Sequence, residues 1–141
     1  MAAANAGSGI GVLPLYGVVT QRGNMVDDIS GPGSTSTQQF TSALRQVLAD
    51  DTVGQILIDI DSPGGSVYGV AELASQIVKA RTQKPVVAVA NSLAASAAYW
   101  IGCSASEFYV TPGGEVGSIG VGKWPSRTRA DTAPRRYGTS A

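Results

Sequence analysis

Short runs of branched apolar residues alternate along this chain with stretches where apolar positions recur every three or four residues. The first kind predicts strands and the second amphipathic helices. Ile10 to Thr20 (IGVLPLYGVVT) reads as a strand, with Pro14 tolerable at an edge or bulge and Gly17 marking a bend. Arg22 to Thr37 is dense in Gly, Ser and Asp without a sustained period, so it reads as a surface loop whose end offers a helix N-cap. From Thr37 to Ala49, Phe40, Leu44, Val47 and Leu48 make one helical stripe, closed by Asp50 and Asp51. Val53 to Ile60 (VGQILIDI) is almost continuously apolar, as in a parallel strand buried on both faces. Val70, Leu73, Ala74, Ile77 and Val78 make a second helical stripe, and the run PVVAVA after Lys84 is a second buried strand. A shorter cycle follows, with helix from Ala94 to Ile101, strand from Phe108 to Val110 and a turn at Thr111 to Gly114. The class is therefore α/β, built from repeated β-α-β units around a mainly parallel sheet.

With 141 residues, 43% of them hydrophobic, the chain suits one globular domain. Its ten basic and ten acidic residues are unevenly placed. Residues 123–141 hold Lys123, Arg127, Arg129, Arg135 and Arg136 against Asp131 alone. That leaves the body net negative and the tail net positive, and the tail reads as a solvated, disordered end with no nucleic-acid role. The division is a flexible start over 1–9, a domain over 10–122 and the tail over 123–141. A single cysteine, Cys103, excludes an internal disulfide framework and reads as a small core residue. No leader pattern opens the chain and no run approaches the roughly 18 apolar residues of a membrane span, so a soluble, cytoplasmic protein is expected. Histidine is absent. A Ser-His-Asp triad is thereby excluded, and any nucleophile needs another proton acceptor.

Candidate chemistry gathers at the C-terminal ends of the two buried strands, where open α/β sheets place their ligands. After the first comes Asp61-Ser62-Pro63-Gly64-Gly65-Ser66, which reads as a turn into the next helix. Gly64 and Gly65 would expose backbone N–H groups at a helix N-terminus, suited to an oxyanion or a phosphate. A tight turn with no ligand explains the pair equally well. After the second strand comes Asn91-Ser92-Leu93-Ala94-Ala95-Ser96-Ala97-Ala98. Ser96, flanked by alanines, is the candidate nucleophile, and the Ala97 N–H a second oxyanion donor; a small residue in tight packing is the plain alternative. Ser66 reads better as a helix cap and Ser92 as a strand end.

The segments IDSPGGSVYGVAELASQI, KPVVAVANSLAASAAYW and TPGGEVGSIGV closely resemble those of the signal peptide peptidase A and phage capsid (prohead) protease family, from about Ile10 to Gly122. The resemblance implies a fold like that of the Clp protease and crotonase superfamily and a serine endopeptidase of the Ser-Lys type, with no cofactor and no metal. It puts the nucleophile on Ser96 and the oxyanion donors on Gly65 and Ala97, with Gly64 a weaker third. The family often has Gly where Ala97 and Ala98 stand, which implies narrower selectivity here. It also implies protein substrates, such as capsid scaffold proteins or signal peptides, and a homo-oligomer.

The family's general base is a desolvated lysine several tens of residues after the nucleophile, beyond Gly-Ser-Ile-Gly-Val, and that segment has no counterpart here. Lys123 is the only lysine after Ser96 and comes too early. Lys79 sits on the polar side of a helix and Lys84 at the sheet edge opposite Ser96, both as solvated residues. Two expectations follow: a chain truncated or frameshifted near Gly122, or a lysine supplied by a neighbouring subunit. A chain lacking its last strands would expose a sheet face and self-associate. Two other functions stay open, a non-catalytic assembly or regulatory fragment of such a protease, and an acyl-CoA enzyme using Glu115.

Overall fold

The computed structural model describes residues 7–23 and 33–120. The elements are β1 (Gly9–Thr20), β2 (Ser34–Ser36), α1 (Thr37–Ala49), β3 (Val53–Gly65), α2 (Val70–Ala80), β4 (Val86–Ala95), α3 (Ala97–Cys103), β5 (Glu107–Val110) and β6 (Glu115–Gly117). The strands form one sheet in the order β2-β1-β3-β4-β5, and every pairing is parallel. β6 joins the same edge of the sheet further along, pairing Val116 and Gly117 with Ala94 and Ala95 of β4. Pro14 lies where β1 is paired on one side only, since β2 reaches just Val18 to Thr20, so its missing N–H costs no ladder bond.

Side chains alternate across a strand, and here one face receives the core. Leu13 and Leu15 of β1, Ile56, Ile58 and Ile60 of β3, and Val86, Ala88 and Ala90 of β4 are buried on it. The helices close over this face with Phe40 and Leu44 from α1, Val70, Leu73 and Ile77 from α2, and Ala98 and Ile101 from α3. Each fully buried Leu or Ile is worth about 1.5–3 kcal/mol in transfer free energy.

The expected burial on both faces holds for one face only among the described residues. Ile10 is 60% and Val12 54% exposed on the other side, and Leu57, Asp59, Val87 and Val89 there are only half-buried. A continuous apolar run reports that both faces avoid water, but it does not say which segment covers each. Val78, assigned to the apolar stripe of α2, is likewise exposed.

Local chemistry sets the element ends. The Ser36 side chain caps α1 by accepting from the Gln39 N–H. Lys84 is no solvated cation: its Nζ donates to the Val47 and Asp50 carbonyls at 2.9 and 2.7 Å, closing the C-terminal end of α1. The segment read as one loop from Arg22 to Thr37 contains β2; within it, residues 24–32 lie outside the described residues.

Candidate active site

β3 does not turn at Asp61. It continues through Ser62, Pro63, Gly64 and Gly65, and past a register shift it pairs with β1 again (Val18 beside Gly64, Val19 beside Gly65). α2 begins only at Val70, behind a Gly69 N-cap with φ 79°. The two glycines therefore sit at a strand end and not at a helix N-terminus, which corrects the helix-dipole part of the sequence reading. Ser66 does not cap α2; its Oγ accepts from the Tyr68 N–H. Ser92 does not end β4, which runs on to Ala95.

Ser96 stands between the last residue of β4 and the first of α3. Its backbone has φ 56° and ψ −123°, outside the conformations an L-residue favours, at a cost of about 1–3 kcal/mol. The surroundings hold it there. Its N–H donates to the Gly117 carbonyl at 2.9 Å, and its carbonyl accepts from the Trp100 N–H at 3.1 Å. β6 thus fixes one side of the elbow and the first turn of α3 the other.

Gly64 packs directly against this elbow. A Cβ built on it would lie 2.7 Å from the Ser96 Cβ, 2.9 Å from the Ala97 nitrogen and 2.5 Å from the Ala95 carbonyl oxygen. No other residue leaves that space open, so the Pro-Gly-Gly segment and the Ser96 elbow meet at Gly64. The Gly64 N–H itself is not free: it donates to Ser62 Oγ at 3.1 Å. Ser62 Oγ in turn donates to the Gly17 carbonyl at 2.5 Å. Gly64 therefore contributes space and not an amide donor, which corrects its expected role. The Ser66 N–H bonds the Val19 carbonyl of β1. Gly65, with φ 154°, lies beside Val18 and Val19 of β1. The Ala97 N–H opens α3, where the first turn leaves donors without intrahelical partners.

Beside Ser96 lies a cavity of about 240 Å³. Its walls are Val67, Ser96 with Ala97, Tyr99, Trp100 and Cys103 of α3, and the segment Ser118 to Gly120. Cys103 is exposed, not a core residue. It is seven residues after Ser96 on the same helical face, a spacing legible in the sequence. The Cys103 side chain pushes the Tyr99 phenol above its usual pKa. Ser118, with φ 56°, directly follows Gly117, the last residue of β6, and neither was given a role from the sequence.

No lysine, carboxylate or other strong base lines this cavity among the described residues. Lys79 is exposed on α2 and Lys84 is engaged at the far sheet edge, while Lys123 lies outside the described residues. Glu115, exposed on β6, is not part of the cavity wall, which removes support from the acyl-CoA reading. The described residues hold no group of three or more His, Cys, Asp or Glu side chains placed to bind a metal, and no helix among them is long and apolar enough to cross a membrane.

Residues 78–128 match the model of peptidase family S49. The chain is 40% identical over 114 residues to the head-tail preconnector protein GP5 of Enterobacteria phage P21, covering 81% of this chain and 22% of that protein. It is 38% identical to the capsid assembly protease C of Escherichia phage lambda, covering 81% and 26%. The chain thus spans about a quarter of the length of these curated relatives. Among solved structures, the 1510-N membrane protease specific for a stomatin homolog from Pyrococcus horikoshii superposes with a TM-score of 0.51 at 19% identity, covering 77% of this chain and 50% of that one. That likeness concerns the fold, an α/β arrangement around a parallel sheet.

Proposed function

Because this chain is a relative of peptidase family S49, we propose that it is the nucleophile-bearing part of a serine endopeptidase in which Ser96 is acylated. The carrying observation is the contact between Gly64 and the Ser96–Ala97 elbow, which a single methyl group would fill. In this reading Ser96 Oγ attacks the carbonyl carbon of a peptide bond, and its proton passes to a base. The carbonyl oxygen, now an anion, accepts from the Gly65 and Ala97 N–H groups, main-chain donors held in place before the reaction begins. The C–N bond then breaks, the amine leaves with the transferred proton, and water releases the acyl group from Ser96.

The base is a lysine from outside residues 7–120, either from the segment containing Lys123, from a neighbouring subunit or from further sequence of a longer protein. A lysine amine desolvated beside Ser96 would have the lowered pKa this role needs. Substrates are proteins, capsid scaffold proteins or signal peptides among them, and the protease acts as a homo-oligomer in the cytoplasm. The test is labelling by a fluorophosphonate, read by intact mass. Covalent labelling that Ser96→Ala abolishes supports the reading; a folded chain that stays unlabelled when supplied with its base-bearing partner refutes it.

One observation favours a second reading, a non-catalytic assembly fragment: Ile10, Val12 and Tyr109 stand exposed on the uncovered sheet face. Such a face suits docking onto a longer relative. Stable co-assembly with an intact relative and no added proteolysis would support that reading.

A further inference from the structure

The sheet face turned away from the helices combines apolar surface with negative charge. Ile10 and Val12 of β1 and Tyr109 of β5 are exposed on it, and Leu57, Val87 and Val89 are half-buried. Three carboxylates share this face. Asp59 and Asp61 alternate with the buried Ile60 on β3, and Glu107 precedes Phe108 of β5, which packs on the core. No strand of the sheet carries a Lys or Arg. The Asp59 carboxylate accepts from the Tyr16 hydroxyl and from the Asn91 side-chain amide. That hydrogen bond from Tyr16, partial desolvation and the charges of Asp59 and Asp61 push the Tyr16 phenol above its usual pKa. A second copy applying the same face would oppose like charges, and an anionic lipid or nucleic-acid surface would be repelled. The face therefore suits an occupant that is basic and partly apolar.

The chain itself contains such a segment. Residues 123–141 carry Lys123, Arg127, Arg129, Arg135 and Arg136 against Asp131, with Trp124 and Tyr137 among them. The described residues end at Gly120 beside Ser96, at the end of the sheet where Ser62, next to Asp61, is in register with Ala94. Arg127 follows Gly120 by seven residues, at most about 23–25 Å of extended chain, so the carboxylates are within its reach. Extended chain puts residues i and i+2 on one side, which gives Arg127 and Arg129 the spacing of Asp59 and Asp61. Glu107 pairs with Val87 and Val87 with Leu57, which sets Glu107 two strands across and four residues back from Asp61, about 16 Å away. Arg135 follows Arg129 by six residues, enough to span about 20 Å. Tethering also gives this segment an effective concentration in the millimolar range, which a separate partner lacks. We infer that residues 123–141 dock on this face of their own chain, with Arg127 and Arg129 on Asp59 and Asp61 and with Arg135 and Arg136 toward Glu107. The assignment replaces the solvated end that composition suggests, and it does not depend on acylation of Ser96.

The experiment uses the full chain with Cys103→Ser and a nitroxide on Thr128→Cys, between the two arginines, and reads broadening of backbone amides in a ¹⁵N correlation spectrum. The amides of Leu57, Asp59, Val87 and Val89 should broaden more than those of α1 and α2. They should recover at about 1 M salt, where the screening length falls to about 3 Å. Asp61→Lys or Arg129→Glu alone should at least halve the broadening, and the two together should restore it, a rescue that damage to the fold would not give. Broadening no stronger on the face than on the helices, or single variants that leave it unchanged, overturns the inference. So does a double variant that fails to restore it. Spin-labelled chain without ¹⁵N is then mixed with ¹⁵N chain bearing no label. An unbroadened spectrum in that mixture supports docking within one chain, and broadening of the face as strong as in the singly prepared sample overturns it in favour of a neighbouring copy's tail.

Discussion

Gly64→Ala is the sharpest test of the site. Two costs add. At φ 89° an L-side chain is strained by about 1–2 kcal/mol. The new methyl also meets three atoms at 2.5, 2.7 and 2.9 Å, all of them backbone or a Cβ that no rotamer change can move. Overpacking of that kind costs about 1–3 kcal/mol, so the sum is about 2–5 kcal/mol. Each kcal/mol shifts the Tm by about 2–8 °C across domains of roughly 60–250 residues, which predicts a fall of at least about 4 °C. Thermal unfolding by circular dichroism measures it. Gly65→Ala is the control, because its Cβ would strike Val19 of β1 and not the serine. Both variants should lose stability, but only Gly64→Ala should displace the Ser96 and Ala97 amide resonances in a ¹⁵N correlation spectrum recorded well below both melting points. A Gly64→Ala chain with parental Tm and unmoved Ser96 and Ala97 signals would refute the contact on which the site is built.

Other outcomes follow from single residues. Ser96→Gly should raise the Tm by several degrees while abolishing phosphonate labelling, because relief of about 1–3 kcal/mol of backbone strain exceeds the roughly 0.5–1 kcal/mol that glycine adds to the entropy of unfolding. Lys84→Met should destabilise the fold by about 1–2 kcal/mol in urea unfolding, since it strips the charged donor from the Val47 and Asp50 carbonyls. Hydrogen bonds from the Thr52 hydroxyl and N–H hold the Asp50 carboxyl below its ordinary value of 3.8. A lowered pKa in the fold contributes stability that is present above 3.8 and lost as pH falls through the folded value, so carbon-detected titration should place the Asp50 midpoint below 3.8, and Asp50→Asn should flatten that acid limb of the stability curve.

Much of the fold was legible because its signals are local. The stripe of α1 and the cap at Ser36 lie within a few residues of each other, and α1 spans Thr37–Ala49 as the periodicity predicts. The stretch from Asp61 to Ser66 was misread for the opposite reason. Pro and two glycines normally end a strand, yet β1 continues to pair with Gly64 and Gly65, and that partner is more than forty residues away in sequence. Cys103 was misplaced because a short helix at a sheet edge has a face turned to a cavity, and composition alone cannot separate that face from the core. Lys84 was read as solvated because its acceptors are carbonyls freed by the end of another helix, a partnership that no spacing encodes.

The division between what these residues contain and what they lack has a physical logic. The elbow at Ser96 and the amides of Gly65 and Ala97 are products of topology. Parallel strands β3 and β4 end at the same edge and α3 departs from it, so once the sheet forms Gly64 meets the Ser96–Ala97 elbow, where the proposed mechanism draws its donors. Backbone donors cannot be supplied from elsewhere without rebuilding that edge. A proton acceptor is different: it is one long side chain whose amine must reach the serine hydroxyl from a dry side, and any segment or subunit that covers the cavity mouth can bring it. The same covering segment would exclude water and lower the lysine pKa, coupling completion of the site to activation of its base. Adding a base-bearing partner should therefore do two things together, protect the Ser118–Gly120 amides from hydrogen exchange and switch on Ser96 labelling. Labelling that rises with no added protection there would mean that the base arrives by another route.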